Sequence, residues 1–151
     1  MESLRSSGDF RELLSLFNAE AVRYLVVGGF ALAHYGRPRY TKDLDIWVDR
    51  TEENARKIFR ALARFGAPLE KLTYRDFAEP DVVLQIGMEP IRVDLLTDIS
   101  GIDFANAWDR REISKYGDVP VQVIGRSDYI TNKRASGRPG DLRDIESLLE
   151  Q

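Results

Sequence analysis

The segment "DLDIWVD", residues 43–49, constrains the fold more than any other part of the sequence because acidic and apolar side chains alternate in it. Successive side chains of a β-strand point to opposite faces of the sheet. The alternation therefore predicts a strand that buries one aliphatic face and presents Asp43, Asp45 and Trp47 on the other.

A pair of glycines precedes this strand. "YLVV", residues 24–27, predicts a short buried strand, and "GGFALAHYG", residues 28–36, predicts a helix that begins at Gly28 and Gly29. The free N–H groups at a helix N-terminus favour anions, and glycine lets a phosphate approach the backbone closely. A tight turn explains the two glycines equally well. The spacing fits neither a P-loop nor a dinucleotide-binding fingerprint.

A third aspartate, Asp94, lies in the middle of the apolar strand pattern "IRVDLL", which forms a predicted hairpin with "DVVLQIG". Acidic residues are unfavourable in strands, and an unpaired carboxylate is costly to bury. Three carboxylates on two strands suit a hard divalent cation such as Mg²⁺. Two such ions, about 3.5–4 Å apart, serve phosphoryl transfer in many enzymes. Alternatively, Asp43 caps a loop and Asp45 forms an ion pair with Arg39 or Arg92.

Five cationic residues are candidates for binding phosphate. Three of them precede the acidic strand and two lie in the C-terminal helices: Arg37, Arg39, Lys42, Lys133 and Arg138. Arginine binds phosphate oxygens as a fork, and lysine binds them as a point charge. Each one alone is expected to be a solvated surface charge, and Lys133 is also placed to snorkel from an apolar helix face. Asp141 and Asp144 are interpreted as caps or ion-pair partners of the last helix, for instance with Arg138.

The remaining patterns favour an α+β fold. The first predicted helix runs from Asp9, as N-cap, to Val22, and another lies between Thr51 and Gly66. The last helix is predicted to face the core with four residues, Leu142, Ile145, Leu148 and Leu149. Because helices and strands are mixed and include a hairpin, a mixed sheet flanked by helices is favoured over a parallel, doubly wound sheet.

Length and composition limit the class of protein. The chain has 151 residues, which predicts a single domain over residues 1–151. It has no cysteine, which excludes disulfides and thiolate metal sites and favours a cytoplasmic location. We expect no association with membranes, because there is neither a signal-peptide pattern nor an apolar run of about 20 residues. The net charge of −3 argues against a general nucleic-acid coat, although a local basic site is compatible with it.

The glycines and aspartates together resemble the nucleotidyltransferase superfamily that includes DNA polymerase beta. Its signature is a hydrophobic residue, Gly-Gly or Gly-Ser, nine to thirteen residues, and then Asp-hydrophobic-Asp-hydrophobic. Here the signature corresponds to Val27-Gly28-Gly29, thirteen residues and Asp43-Leu44-Asp45-Ile46, with Asp94 as the third aspartate. The C-terminal "NKRASGRPGDLRDIESL" is similar to small stand-alone bacterial and archaeal members. Some of those resemble the toxins of type IV (abortive-infection) toxin–antitoxin systems.

This resemblance implies a nucleotidyltransferase-like mixed sheet with C-terminal helices. It also implies Mg²⁺-dependent transfer of a nucleoside monophosphate from an NTP to a hydroxyl or phosphate of an acceptor. The acceptor is a tRNA end, a protein side chain or a small molecule, and a cognate antitoxin is an implied partner. The competing hypothesis is a non-catalytic module that keeps the fold and binds a nucleotide or a protein.

The resemblance also implies a role for each candidate residue. Asp43 and Asp45 hold two Mg²⁺ ions, for which Mn²⁺ is a substitute, and Asp94 holds one of them and orients the acceptor. Gly28 and Gly29 cradle the triphosphate. The candidate cations, above all Arg39 and Lys133, neutralise its charge.

Overall fold

A computed structural model of the protein describes residues 2–36, 43–86 and 92–150. The helices are α1 (Glu2–Ala19), α2 (Gly28–Tyr35), α3 (Glu52–Phe65), α4 (Phe104–Asp109), α5 (Arg126–Ser136) and α6 (Pro139–Leu149), with a 3₁₀ turn at Tyr74–Phe77. The strands are β1 (Tyr24–Val27), β2 (Asp43–Val48), β3 (Val83–Ile86), β4 (Arg92–Leu96), β5 (Glu112–Tyr116) and β6 (Val119–Val123).

The six strands form one sheet in the order β3-β4-β2-β1-β6-β5. β2 lies parallel to β4 and antiparallel to β1, and β1 lies parallel to β6. The hairpins β3–β4 and β5–β6 are antiparallel and form the two edges of the sheet. This mixed sheet with flanking helices confirms the α+β fold predicted from the sequence.

The central strands are buried on both faces along most of their length. All four residues of β1 are buried, and so are the three aliphatic residues of β2, as the alternation predicted. Trp47, which shares its face with the aspartates, is only 1% exposed, because Phe104 of α4 packs against it with ring centroids 5.0 Å apart. The acidic face of β2 is therefore covered at one end and accessible at the other.

α1 has different bounds from those predicted. It begins at Glu2 rather than after Asp9, so the apparent cap at Asp9 lies inside helical backbone. A capping sequence favours a helix start only locally, and an existing helix can continue through it. The helix ends at Ala19 rather than Val22, because Ala21 adopts a left-handed φ of 56° that breaks the helical hydrogen-bond pattern.

α3 lies where its capping signals predicted. The backbone N–H of Asn54 donates to the hydroxyl oxygen of Thr51 at 3.3 Å, and Gly66 ends the helix with a φ of 91°. The side chain of Asn54, only 2% exposed, bonds three backbone groups at the ends of β1 and β2. These bonds fix the start of α3 against the central strands.

α6 buries a different set of residues from the predicted one. Ile145 and Leu148 are buried as expected, but Leu142 and Leu149 are 44% and 54% exposed, so their prediction was wrong. Helical spacing places Asp141, Ile145 and Leu148 on one stripe. That stripe faces the protein, and Asp141 takes the buried position that had been predicted for Leu142.

No helix in the described part of the chain is long and apolar enough to cross a membrane.

Candidate active site

Asp45 and Asp94 lie directly opposite each other on the neighbouring parallel strands β2 and β4. Asp43 pairs in the same register with Arg92, two residues earlier on each strand. Side chains two residues apart on a strand share a face, so the structure brings the three predicted aspartates to one face of the sheet. All three line the same pocket.

The pocket has a volume of about 440 Å³. One wall is the acidic face of β2 and β4, and the other is α5 with the start of α6. The described residues that line it are Val27, Gly28, Asp43, Asp45, Arg92, Asp94, Leu96, Asp98, Ile99, Ser100, Asn132, Lys133, Ser136 and Arg138.

One carboxylate oxygen of Asp94 lacks a hydrogen bond. Its Oδ2 accepts from Nη2 of Arg92 at 3.3 Å, whereas Oδ1 is buried without a hydrogen-bond partner in the described part of the chain. A buried carboxylate oxygen without a partner among the protein atoms is costly, so such an atom in a pocket suits a bound cation or hydrogen-bond donor. Arg92 forms its ion pair with Asp94, whereas the sequence had suggested Asp45 as its partner.

The carboxyl group of Asp45 has a higher pKa than an exposed aspartate. Burial raises its pKa from 3.8 to about 6, and the neighbouring charges of Asp94 and Asp43 act in the same direction. The ammonium group of Lys133 opposes this shift. Among the described residues that line the pocket, four carboxylates (Asp43, Asp45, Asp94 and Asp98) accompany three cations (Arg92, Lys133 and Arg138).

The donor set fits a divalent cation, although no three Asp, Glu or His side chains among the described residues form a ready-made cluster for one metal ion. Carboxylate oxygens are the ligands that Mg²⁺ and Mn²⁺ prefer. A cation beside Asp45 and Asp94 would give the buried Oδ1 of Asp94 a partner and would offset the negative charges that add to the effect of burial on the pKa of Asp45. Asp43 lies on the same face of β2, two residues before Asp45.

Gly28 makes room for Asp45. It begins α2 with a φ of 67°, and a β-carbon built on it would lie 2.2 Å from Oδ2 of Asp45. Any side chain at position 28 would therefore displace the carboxylate. Gly29 follows as the second residue of α2 and is half-buried. The role of the two glycines as a phosphate cradle stays a prediction.

Two of the five predicted cations line the pocket. Nζ of Lys133 donates to Oδ1 of Asp141 at 3.2 Å and lies 5.5 Å from the ring centre of Tyr129. Nε of Arg138 donates to Oδ2 of Asp141 at 2.8 Å, so Asp141 is the predicted partner of Arg138. Lys133 is mostly buried and ion-paired, so it does not merely snorkel to solvent. The other three predicted cations, Arg37, Arg39 and Lys42, lie outside the described residues.

Sequence reasoning did not assign a site role to Arg92, Asn132 or Ser136, all of which line the pocket. The signal for Arg92 was the period of two along β4, which places it on the face of Asp94. The signal for Ser136 was helical spacing, which places it three residues from Lys133 on α5, and Asn132 lies one turn before Ser136 on the same helix.

The segment after β4 closes one end of the pocket against α5. Nδ2 of Asn132 donates to the carbonyl oxygen of Ser100 at 3.0 Å. The adjacent Gly101 has a φ of 85°, and a β-carbon there would lie 2.7 Å from Cβ of Ala135. This close approach fixes the distance between β4, which carries Asp94, and α5, which carries Lys133.

The model of one protein family matches residues 6–151, nearly the whole chain, and the family is described as "nucleotidyl transferase of unknown function (DUF2204)". The chain belongs to this family. Membership confirms the resemblance inferred from the glycines and aspartates, and it makes the protein a nucleotidyltransferase with a nucleotide as substrate.

Solved structures show that this DUF2204 nucleotidyl transferase shares its fold with other nucleotidyltransferases. TM1012 of Thermotoga maritima, provisionally assigned as a nucleotidyltransferase, is 20% identical with a TM-score of 0.60, covering 99% of this chain and 91% of its own. The lincosamide antibiotic adenylyltransferase LnuA, solved with lincomycin bound, is 18% identical with a TM-score of 0.60, covering 94% and 95%. The antibiotic-resistance factor ANT(2'')-Ia is 15% identical with a TM-score of 0.61, covering 99% and 83%. A comparison with curated proteins finds no match.

Proposed function

We propose that this protein transfers a nucleoside monophosphate from a Mg²⁺-bound NTP to a hydroxyl or phosphate of an acceptor. One observation carries the proposal: Asp45 and Asp94 face each other in a pocket where Oδ1 of Asp94 is buried without a partner among the described residues. The same pocket holds Lys133 and Arg138, so carboxylates for a metal and cations for phosphate line one cavity.

Asp43, Asp45 and Asp94 are the residues that would hold Mg²⁺, or Mn²⁺ in its place. A divalent cation held there would neutralise phosphate charge and would lower the pKa of an attacking oxygen. Asp94 also orients the acceptor and takes its proton, since a carboxylate within hydrogen-bond reach of a hydroxyl can act as general base. The acceptor oxygen forms a bond to the α-phosphorus, the bond from that phosphorus to the bridging oxygen breaks, and pyrophosphate leaves.

The cations of the pocket bind the triphosphate. Lys133 and Arg138 offer N–H donors to its oxygens, and preorganised positive charge is the main contribution that a protein makes to phosphoryl transfer. Gly28 and Gly29 offer backbone N–H groups at the start of α2. Arg37, Arg39 and Lys42, which precede β2 in the sequence, are proposed to complete the phosphate site.

A small molecule is the acceptor that the structural neighbours favour. LnuA is a lincosamide adenylyltransferase and ANT(2'')-Ia is an antibiotic-resistance factor, and both share this fold. The C-terminal sequence resemblance offers the alternatives, a tRNA end or a protein side chain, together with a toxin role and a cognate antitoxin. Assays with these acceptors in parallel distinguish the classes.

Pyrophosphate release tests the proposal. The wild-type protein is incubated with each of the four NTPs and candidate acceptors, with Mg²⁺, with Mn²⁺ and with a chelator. We expect metal-dependent pyrophosphate that disappears in Asp45→Asn and persists in the matched control Asp109→Asn, a change in an exposed carboxylate at the end of α4. Turnover by Asp45→Asn would refute the mechanism. Nucleotide binding without pyrophosphate under any condition would favour a non-catalytic module.

A further inference from the structure

Asp141 is a buried carboxylate that contacts three residues lining the pocket without lining it itself. It is 6% exposed and lies in the first turn of α6. It accepts hydrogen bonds from Nζ of Lys133 at 3.2 Å, from the hydroxyl of Ser136, and from Nε of Arg138 at 2.8 Å. A single carboxylate thus joins the donors on one wall of the site.

The backbone holds Asp141 in this position. α5 ends at Ser136 and is capped by Gly137, whose φ is 67° and whose N–H donates to the carbonyl oxygen of Lys133 at 3.1 Å. α6 begins immediately afterwards at Pro139, the favoured first residue of a helix. This turn folds the start of α6 back onto the last turn of α5 and places the carboxylate between the two cationic side chains.

Asp141 stays ionised at neutral pH. Burial alone would raise its pKa, but hydrogen bonds from Ser136, Arg138 and Lys133 outweigh burial and lower that pKa to about 2. The carboxylate therefore has two opposing effects on a bound triphosphate. It cancels part of the positive charge that attracts phosphate, and it fixes two long side chains that would otherwise lose conformational freedom on binding.

We propose that Asp141 is a positioning residue that holds the ammonium group of Lys133 and the guanidinium group of Arg138 ready for the oxygens of a triphosphate. The inference rests on the proposed function, because the ligand of these cations is taken to be the NTP. We expect preorganisation to outweigh charge cancellation, because one carboxylate restrains two flexible side chains that would otherwise be ordered only on binding.

Nucleotide affinity in two conservative variants tests this role. Asp141→Asn keeps the shape of the side chain and removes its charge, and Asp144→Asn makes the same change one turn further along α6, outside the described lining of the pocket. Dissociation constants are measured by calorimetry for Mg²⁺ complexes of ATP, GTP, CTP and UTP and for the matching monophosphates. Chemical unfolding of each variant measures its stability.

We expect Asp141→Asn to weaken the tightest NTP by about tenfold, the cost of ordering two side chains during binding. The matching monophosphate, which offers fewer phosphate oxygens, should lose less affinity, and Asp144→Asn should bind both like the wild type. Asp141→Asn is expected to lower the free energy of unfolding in any case, because the ionised carboxylate stabilises the fold. A merely structural role would weaken NTP and monophosphate binding equally, which would overturn the inference. Tighter NTP binding by Asp141→Asn would also overturn it, since Asp141 would then only cancel charge.

A third variant keeps the test decisive if Asp141→Asn does not fold. Asp141→Glu retains the charge but shifts the carboxylate by one methylene, so the same selective loss of NTP affinity is expected, and wild-type affinity would refute the positioning role. If the proposed function itself is wrong, the wild type rather than the variants gives the deciding result. The wild type itself would then bind none of the four NTPs in the presence of Mg²⁺, and both proposals would fall.

Discussion

A β-carbon on Gly28 would lie 2.2 Å from Oδ2 of Asp45, so the carboxylate occupies the space that any side chain at position 28 would need. Register explains the contact, because Val27, the last residue of β1, pairs with Asp45 across the antiparallel β1–β2 ladder. The position of the Asp45 carboxylate therefore depends on the absence of a side chain at Gly28, where α2 begins.

Gly28→Ala should disrupt the site more than it disrupts the fold. The new methyl group displaces Asp45, and the left-handed backbone adds a strain of about 1 kcal/mol. We expect loss of Mg²⁺-dependent NTP binding, measured by calorimetry. Gly66→Ala is the matched control, since its φ is 91° but its β-carbon would meet no atom within 4 Å. Equal nucleotide affinity in the two variants would contradict the steric role of Gly28.

Asp45 should make the stability of the metal-free protein depend on pH. Its pKa is about 6 in the folded protein against an ordinary value of 3.8, so the folded state binds the proton more tightly than the unfolded state between these values. The free energy of unfolding contributed by this group therefore falls as the pH rises from about 4 to 6 and is constant above that range.

Urea unfolding of the wild type and Asp45→Asn, at several pH values with a chelator present, measures this contribution. As the pH rises from about 4 to 6, the free energy of unfolding of the wild type should fall relative to that of Asp45→Asn. Adding Mg²⁺ at pH 7 should stabilise the wild type more than the variant, because ligands of the folded state raise its stability. A pH-independent difference would refute the assignment of the raised pKa to Asp45.

Gly101→Ala should separate β4 from α5. Its methyl group would lie 2.7 Å from Cβ of Ala135, and the φ of 85° adds backbone strain. We expect lower stability and weaker NTP binding, because Lys133 on α5 moves away from Asp94 on β4. Adding Ala135→Gly removes the steric contact but not the strain. The double variant should therefore bind the nucleotide more tightly than Gly101→Ala alone. If Ala135→Gly instead lowers the affinity further, by as much as it does in the wild type, the contact between positions 101 and 135 is not the cause.

Asn54→Ala should destabilise the fold without affecting the site. The variant leaves the N–H and carbonyl of Arg23 and the carbonyl of Asp49 without their side-chain partner, at an expected cost of about 2–3 kcal/mol. Urea unfolding measures the loss, and calorimetry should show unchanged NTP affinity. Asn106→Ala, which removes an exposed amide, should cost less than about 1 kcal/mol. Comparable losses in both variants would contradict the anchoring role of Asn54.

Strand periodicity and helix-capping preferences, which act over a few residues, made part of the site and of the fold predictable from the sequence. The period of two along a strand placed Asp43 and Asp45 on one face, whatever the rest of the chain did. The capping preferences of Thr51 and the conformational freedom of Gly66 fixed both ends of α3, because these effects act within one turn of backbone. The glycine and aspartate pattern was also sufficient to predict the family.

Tertiary structure decided which faces were covered and which side chains met. Asp94 lies opposite Asp45 only because the sheet order places β4 beside β2, a pairing between residues far apart in sequence. Likewise, helical spacing allowed either Asp141 or Leu142 to face inward, and Lys133, Ser136 and Arg138 made the buried carboxylate favourable. Periodicity defines the faces of an element, whereas the neighbours that the fold brings to each face determine whether a charge can be buried there.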